Sequence, residues 1–396
     1  MNNQEIKELT LLHVAQTYAR FPIALVRGKG VKVWDADGKE YLDFVGGIAV
    51  DCLGHGHPAV LRALRQQSRD LIHVSNLYHI GPQAELARDL CRHSFADRVF
   101  FCNSGAEANE AAIKLARRYG WERLGGKYEI LSMLNSFHGR TLATLTATGQ
   151  EKVRLGYDPL PQGFRQVPFG DVSAVEEAIG EKTAAVLVEP IQGEGGIVLP
   201  PEGYLRELRE LCNARRILLI FDEVQVGMGR TGRLFAYEHY GVEPDIMTLA
   251  KALGGGLPLG AMLAKEEVAR SFVPGTHAST FGGNPLVCAV GGAVLQTLVE
   301  GSLLENCARM GAYLTEGLRS LQTRFGFIRE VRGKGLIVGV EVEREAGKIV
   351  AECLEAGLLI LGAGNNNVLR FLPALTVKKK DVARALALLE KVLGRH

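Results

Sequence analysis

Residues 245–256 read Asp-Ile-Met-Thr-Leu-Ala-Lys-Ala-Leu-Gly-Gly-Gly, an apolar run that ends at Lys251 and opens into a glycine-rich segment. Such a short, uninterrupted apolar run is typical of a strand buried inside a parallel sheet. Upstream, residues 216–221 form a similar run, which ends at two carboxylates, Asp222 and Glu223. The two runs predict a buried amine and a buried acid at the ends of two strands.

An amine and an acid in this setting are what a pyridoxal 5'-phosphate (PLP) enzyme requires of its protein. The amine forms a Schiff base with the cofactor, and the acid keeps the nitrogen of the heteroaromatic ring protonated. The alternative is that Lys251 is simply solvated, as most lysines that follow strands are. Only the other motifs can decide between these interpretations.

Apolar runs alternate with helical periodicity from about Pro58 to about Val290. The runs lie at residues 98–102, 128–132, 184–189, 217–221 and 246–250. Alternating strands and helices predict a doubly wound α/β domain, with a mainly parallel sheet covered by helices on both faces.

The two ends of the chain have different patterns. An N-terminal helix is followed by two alternating runs, 31–35 and 39–44, around the turn Asp37-Gly38, which predicts a hairpin. After Val290, two helical segments, at about 290–323 and 380–394, bracket apolar runs at 338–342, 357–361 and 368–372, which predicts a smaller α+β domain. We therefore predict an N-terminal segment, 1–57, that contributes to the small domain, a large domain, 58–290, and a C-terminal small domain, 291–396.

Composition excludes several classes of function. The 46 basic and 44 acidic residues nearly cancel, and no basic run is interleaved with aromatics, which argues against a nucleic-acid partner. No apolar stretch reaches the roughly 18 to 20 residues that span a bilayer, and the first residues lack a signal-peptide core, so we expect no membrane partner and a cytoplasmic protein. The seven scattered cysteines predict reduced core residues, with neither a disulfide framework nor a metal site.

Residues 103–110, Asn-Ser-Gly-Ala-Glu-Ala-Asn-Glu, follow a predicted strand and lead into a segment rich in helix-forming residues. Ser104 and Glu107 fit a capping box, and the unpaired N–H groups of a helix N-terminus suit a phosphate. A plain helix cap is the alternative interpretation of this motif.

Residues 227–232, Gly-Met-Gly-Arg-Thr-Gly, spell G-x-G-x-x-G, which by itself would suggest a nicotinamide-dependent oxidoreductase. That fingerprint requires a strand, a tight turn and a helix in one unit. Here the first glycine comes six positions after the last residue of the strand and no helix start follows, so we interpret the glycines as permissive backbone.

Residues 135–140, Asn-Ser-Phe-His-Gly-Arg, place an aromatic ring, an imidazole and a guanidinium close together. Phe137 could stack on a pyridine ring, and the planar fork of Arg140 could bind a carboxylate. A core phenylalanine and a surface arginine are the alternatives, and His138 is either a general base or a hydrogen-bonded packing residue.

Taken together, these motifs resemble those of the class III PLP-dependent aminotransferases. The resemblance also includes residues 189–196 (Glu-Pro-Ile-Gln-Gly-Glu-Gly-Gly), 222–225 (Asp-Glu-Val-Gln) and 279–284 (Ser-Thr-Phe-Gly-Gly-Asn), and it extends from Gly46 to Pro373. It implies PLP-dependent transferase fold type I, with a large doubly wound α/β domain, and an obligate homodimer with active sites at its interface.

The resemblance also implies a role for each matched residue. Lys251 would bond to the cofactor and move the substrate proton, and Asp222 would face the ring nitrogen. The remaining cofactor contacts would be Ser104, Gly105 and Ala106 at the phosphate, Phe137 on the ring, Glu223, Val224 and Gln225 near it, and Thr280 from the partner subunit. Many relatives have Thr where this chain has Ala106, so one phosphate contact is expected to be missing, with an unknown effect on affinity.

The implied reaction moves the δ-amino group of N2-acetylornithine to 2-oxoglutarate, as in arginine biosynthesis. Substrate contacts would come from Arg140, Arg370, Ser279 and Glu194, the last of which would pair with Arg370 and leave it for glutamate. Succinylornithine, ornithine, 4-aminobutyrate and a diamine of lysine synthesis remain alternative amine donors. An aminomutase of the glutamate-1-semialdehyde type remains an alternative in another enzyme class.

Overall fold

The chain folds around three sheets in a computed structural model that describes residues 1–396. The strands are β1 (Leu25–Lys29), β2 (Lys32–Asp35), β3 (Glu40–Asp43), β4 (Arg98–Cys102), β5 (Glu129–Met133), β6 (Phe164–Val167), β7 (Thr183–Val188), β8 (Leu218–Asp222), β9 (Ile246–Leu249), β10 (Gly260–Ala264), β11 (Ile328–Lys334), β12 (Ile337–Val342), β13 (Leu358–Leu359), β14 (Leu361–Ala363) and β15 (Val368–Phe371).

Helices connect and cover these strands. They are α1 (Asn3–His13), α2 (Gly46–Ala49), α3 (Pro58–Asp70), α4 (Gly81–Arg92), α5 (Gly105–Arg123), α6 (Leu142–Ala147), α7 (Glu151–Arg154), α8 (Val172–Ala178), α9 (Tyr204–Arg215), α10 (Glu266–Ala269), α11 (Pro285–Glu300), α12 (Leu303–Gln322), α13 (Ala346–Glu355) and α14 (Lys379–Leu393). Two 3-10 turns lie at Ala236–His239 and Lys251–Gly254. No single helix is long and apolar enough to cross a membrane, and only the bent pair α11 and α12 meets those criteria jointly.

The largest sheet has the strand order β4-β10-β9-β8-β7-β5-β6. Strands β6, β5, β7, β8 and β9 pair in parallel, and β10 is antiparallel to both of its neighbours, β9 and β4. Strand β4 therefore runs in the same direction as β9, and β10 is the one reversed strand. The predicted mainly parallel sheet is confirmed.

Strand β8 shows why this sheet is covered on both faces. All five of its residues are buried, and successive side chains point to opposite faces. Leu219 and Phe221 belong to a hydrophobic cluster of 67 buried residues, whereas Leu218 and Ile220 belong to a separate cluster of 15. Each face therefore packs against its own apolar layer, as the doubly wound prediction requires.

Two smaller sheets hold the ends of the chain. The first has the order β1-β2-β3-β13, so a C-terminal strand pairs in parallel with the predicted N-terminal hairpin. The second, here called the C-terminal sheet, has the order β11-β12-β15-β14 and is antiparallel throughout. The pairing of β13 with β3 fits an N-terminal segment that contributes to the small domain, while the boundaries at residues 57 and 290 stay predictions.

Four strands have no counterpart in the sequence prediction: β1, β6, β10 and β11. Strand β6 has only four residues, Phe-Arg-Gln-Val, without the alternation typical of a strand, and β10 contains Gly and Ala, which give no strand preference. The helix expected at 290–323 is two helices, because α11 ends at Glu300 and α12 begins at Leu303.

Candidate active site

A cavity of about 520 Å³ lies beyond the carboxyl ends of the parallel strands. Ligands of open α/β sheets bind at this edge, because the loops that leave parallel strands meet there. Among the residues expected to bind cofactor or substrate, those that line the cavity are Ser104, Gly105, Ala106, Phe137, Arg140, Glu194, Asp222, Val224, Gln225 and Lys251. The fold thus gathers residues from five separate loops around one space.

Asp222 is the buried carboxylate at the end of β8. Its Oδ2 atom accepts a hydrogen bond from Asn109 Nδ2 at 2.7 Å and lies 2.7 Å from His138 Nδ1. Its Oδ1 atom accepts from the backbone N–H of Val224 at 3.0 Å, and Thr248 Oγ1 donates to Asn109 Oδ1 at 2.8 Å. These partners fix the carboxylate in one orientation.

His138 is a positioning partner of Asp222 in this structure. Because Asp222 can only accept when ionised, the 2.7 Å contact places the imidazole proton on Nδ1. The side chain is completely buried, and its Nε2 atom has no hydrogen-bond partner. Of the two roles considered from the sequence, the geometry favours the hydrogen-bonded packing residue.

Lys251 follows β9 as the first residue of the 3-10 turn Lys251–Gly254. Its φ of 44° lies in the left-handed region, which costs a non-glycine residue on the order of 1–3 kcal/mol and is concentrated at functional sites. Burial, together with the nearby Arg370, lowers the pKa of the Lys251 amine although three carboxylates oppose the shift. A lowered pKa makes the neutral, nucleophilic amine more abundant.

The N-terminus of α5 forms the floor expected for a phosphate. Ser104 caps this 19-residue helix, since its Oγ accepts from the N–H of Glu107 at 3.1 Å. The second half of the predicted capping box differs, because the Glu107 carboxylate binds Asn103 instead of the backbone of Ser104. A Cβ atom on Gly105 would lie 2.7 Å from Val224 Cγ1, so only glycine leaves this floor open.

Phe137 and Arg140 lie on the loop that follows β5. Phe137 is half-buried, and its backbone N–H donates to Glu189 Oε2 at 3.1 Å. The Arg140 guanidinium lies 5.5 Å from the centre of the Phe137 ring and forms no ion pair. This arginine is therefore available to a carboxylate that enters the cavity.

Glu194 lines the cavity and forms an ion pair with Arg370, which lies behind it and does not itself line the cavity. The Arg370 side chain, on β15, is 2% exposed and donates to Glu194 Oε1 at 2.6 Å and Oε2 at 3.3 Å. Gln225 bridges the pair, since it accepts from Arg370 and donates to Glu194, each at 3.2 Å. Burial would raise the pKa of Glu194, but the charge of Arg370 and its hydrogen bonds outweigh burial and lower it.

Three of the predicted site residues lie elsewhere. The Glu223 carboxylate accepts from the backbone N–H groups of Ala236 and Tyr237, and burial raises its pKa to about 8. It points away from the cavity because alternate residues at the end of β8 face opposite sides of the sheet. Ser279 and Thr280 line a separate cavity of about 320 Å³, so one chain alone does not bring them to Lys251.

Two buried residues at the site, Asn109 and Glu189, were given no role by the sequence analysis. Asn109 lies in the Ala-rich first half of α5, where a buried amide needs a specific partner, and that partner is Asp222. Glu189 follows β7 and accepts from the N–H groups of Phe137 and Gly193, and burial raises its pKa to about 7. A polar residue in an apolar helix face was the one signal that could have revealed Asn109.

The competing glycine motif at 227–232 serves packing. It forms turns with no helix after the last glycine, and a Cβ atom on Gly229 would lie 2.9 Å from Leu375. Arg230 within it is fully buried and donates to the carbonyl oxygen of Leu336 at 3.0 Å. The motif therefore contacts the C-terminal part of the chain and has no dinucleotide-binding geometry.

The chain is similar in sequence and in structure to known aminotransferases. The family model described as aminotransferase class-III matches residues 13–393. An acetylornithine aminotransferase of Caldanaerobacter subterraneus subsp. tengcongensis is 53% identical over 96% of this chain and 97% of its own. The crystal structure of an ornithine aminotransferase from Toxoplasma gondii superimposes with a TM-score of 0.96 at 35% identity, covering 100% of this chain and 96% of its own. That of an acetylornithine aminotransferase from Elizabethkingia anophelis gives 0.89 at 34% identity and covers both chains completely.

Proposed function

Because this chain belongs to the class III aminotransferases, we propose that it transfers the δ-amino group of N2-acetylornithine to 2-oxoglutarate. The products are N-acetylglutamate 5-semialdehyde and glutamate, which places the reaction in arginine biosynthesis. The observation that carries the proposal is the buried Glu194–Arg370 pair beside Lys251 and Asp222. Relatives about 50% identical to this chain, which bear the name acetylornithine aminotransferase, support the choice of substrate.

The residues around the cavity fit pyridoxal 5'-phosphate as the cofactor. Ser104, Gly105 and Ala106 would hold its phosphate at the positive end of the α5 dipole, and Phe137 would stack on its ring. The open floor at Gly105, which a Cβ atom would close, is the structural observation that supports a phosphate there. When bound, the cofactor supplies an electron sink for the carbon that bears the amino group.

The protein's own groups handle the protons. Asp222, fixed by Asn109 and His138, would hold a proton on the ring nitrogen, because an ionised carboxylate stabilises a neighbouring cation in a buried site. Lys251 has the lowered pKa required of a base, and its Nζ would carry the proton removed from the amino-bearing carbon. Both groups are held on strand ends and not on long flexible loops.

Arg140 and Arg370 would bind different carboxylates of the two substrates. The unpaired Arg140 would bind the α-carboxylate of acetylornithine or the side-chain carboxylate of glutamate, while Glu194 keeps Arg370 neutralised for acetylornithine. Glutamate carries a second carboxylate, which would take the place of Glu194 on Arg370. Exchanging the Glu194 carboxylate for a substrate carboxylate on Arg370 lets one cavity accept a monocarboxylate and a dicarboxylate in turn.

We also propose that two copies of the chain form the working enzyme. Leu77, Tyr78 and Phe281 are 85%, 66% and 60% exposed, and they flank the segment that carries Ser279 and Thr280. Asn76 connects the two stretches, since its Nδ2 donates to the carbonyl oxygens of Ser279 and Gly282. Exposed apolar groups of this size favour a protein interface, and in a dimer Thr280 would reach the phosphate of the partner's cofactor. Mass measurement in solution tests this proposal, and the cytoplasmic location stays a prediction.

Steady-state turnover with different amine donors tests the substrate assignment. With 2-oxoglutarate as acceptor, we expect kcat/KM to be highest for N2-acetylornithine. Ornithine is the second candidate, because the solved ornithine aminotransferase shares the fold at a TM-score of 0.96. If ornithine, succinylornithine or 4-aminobutyrate is turned over faster, that amine becomes the assigned substrate. If glutamate 1-semialdehyde is converted without any acceptor, the enzyme is an aminomutase and not an aminotransferase.

A further inference from the structure

The short segment that carries Glu194, residues 193–197, is bonded to the C-terminal sheet. Arg332, on β11, donates from Nε to the carbonyl oxygens of Gly196 and Ile197, each at 3.1 Å, and from Nη2 to Gly196 at 2.9 Å. The N–H of Gly364, just after β14, donates to the carbonyl oxygen of Glu194 at 3.0 Å. The backbone on both sides of the Glu194 side chain is therefore fixed from this sheet.

Arg332 is itself held in place. Its side chain is 13% exposed, and its Nη1 atom binds the carboxylates of Glu330 and Glu341 at 2.6 and 2.5 Å. With both sides of the guanidinium occupied, one by carboxylates and one by carbonyl oxygens, the side chain has a single favourable orientation. It behaves as a rigid connection between β11 and the 193–197 segment.

The same sheet carries the other half of the ion pair. Arg370 lies on β15, which is separated from β11 by β12 alone. The hydrogen bonds from Arg332 and Gly364 therefore tie the Glu194 backbone to the sheet that carries Arg370, so a small shift of that sheet would tend to keep the two residues in contact. Domain movement is not an efficient way to separate these two residues.

The 193–197 segment also has little freedom towards the large domain. A Cβ atom on Gly193 would lie 2.3 Å from Gln225 Oε1, and one on Gly195 would lie 2.8 Å from the carbonyl oxygen of Asn135. Such close approach on both sides leaves the Glu194 side chain as the mobile part. Glu194 lines a second cavity of about 520 Å³, with polar residues such as Asn135 and Lys152, and this cavity has room for the rotated carboxylate.

We propose that Arg332 is a positioning residue that sets the discrimination between the two substrates. It holds the 193–197 backbone against the C-terminal sheet, so that Arg370 is released only when the Glu194 side chain rotates under competition from a substrate carboxylate. This inference rests on the proposed division of labour between Arg140 and Arg370, and it adds a residue that touches neither substrate.

The test measures the glutamate and acetylornithine half-reactions separately in Arg332→Gln, and compares their kcat/KM ratio with that of the wild type. Without the anchor, Glu194 neutralises Arg370 less well, so the ratio should shift towards glutamate by roughly fivefold. In a Glu194→Gln background, Arg332→Gln should cause no further shift, because the carboxylate charge that neutralises Arg370 is gone. Arg329→Gln is the matched control, since Arg329 lies on the same strand but its one ion pair, with Glu343, is exposed.

Thermal unfolding of each variant shows whether the fold is retained. Should Arg332→Gln fail to fold, Arg332→Lys carries the same prediction, because lysine keeps the charge but lacks the fork that reaches two carbonyl groups. If Arg332→Gln folds and its kcat/KM ratio for the two half-reactions equals that of the wild type, the inference is wrong. It is also wrong if Arg332→Gln shifts this ratio as much in the Glu194→Gln background as in the wild type. Failure of the proposed function is distinct from this, since it would appear as inactivity of the wild-type enzyme with acetylornithine.

Discussion

Asp222 and His138 share a buried contact of 2.7 Å between Oδ2 and Nδ1, and Asn109 donates to the same carboxylate oxygen. Both donors are buried, so together they hold the carboxylate in one orientation. The histidine and the amide thus contact the carboxylate that we propose faces the cofactor.

Replacing Asn109 by Ala should lower kcat about 10- to 100-fold, because it removes a hydrogen bond to a buried charge worth about 1.5–3 kcal/mol. Single-turnover kinetics with saturating cofactor measures the effect. Thr248→Val is the graded control, since the Thr248 hydroxyl bonds to Asn109 and not to the Asp222 carboxylate, so its loss should cost much less. Equal losses in the two variants would show that the amide does not act through Asp222.

Replacing Arg370 by Ala should affect the two half-reactions unequally. The change leaves the Glu194 carboxylate without its partner and removes the second carboxylate site, so we expect kcat/KM for glutamate to fall by roughly 100- to 1000-fold. The acetylornithine half-reaction should lose far less, whereas Arg140→Ala should impair both. Stopped-flow measurement of each half-reaction checks the pattern, and equal losses in Arg370→Ala would refute the division of labour.

Replacing Gly105 by Ala should weaken cofactor binding by roughly tenfold, because the added methyl group would lie 2.7 Å from Val224 Cγ1 and narrow the floor of the cavity. Titration of the apoenzyme with pyridoxal 5'-phosphate measures the dissociation constant. Gly81→Ala is the matched control, since Gly81 is also the first residue of a helix but has no atom within 4 Å of its added Cβ. Unchanged affinity in Gly105→Ala would place the phosphate elsewhere.

Site residues could be predicted from the sequence when a reactive side chain also stood in a clear local pattern. Lys251 and Asp222 are polar residues directly after apolar runs, so their burial at one sheet edge follows from strand direction alone. Asn109 was not assigned a role, because its partner lies 113 residues away and helical periodicity shows only that a polar residue interrupts an apolar face, not which residue it contacts. The side chain of Glu223 could not be oriented either, since its direction depends on where β8 ends. The role proposed for Thr280 depends on a second chain, which no pattern in one sequence positions.

Stability should fall as the pH rises above neutrality, in part because of His55. Its hydrogen bond to Asp43 raises the pKa of His55 above its unfolded value near 6.5, although burial acts in the opposite direction. The stabilisation is therefore fully present below about pH 6.5 and is lost as the pH rises through the folded pKa. Urea unfolding should show a larger difference between wild type and His55→Gln at pH 6 than at pH 9. His79→Gln, at an exposed position without an ion pair, should show no such trend.

Lys251 is proposed to hold a cofactor that takes an amino group from acetylornithine. Its most direct test is the visible absorption of the protein saturated with pyridoxal 5'-phosphate, recorded before and after N2-acetylornithine is added without any keto acid. We expect a band from the bound cofactor that acetylornithine removes at lower concentration than ornithine or 4-aminobutyrate, and at least roughly 100-fold slower removal in Lys251→Ala. Absence of the band in the wild type, or its persistence at saturating acetylornithine, would contradict the account.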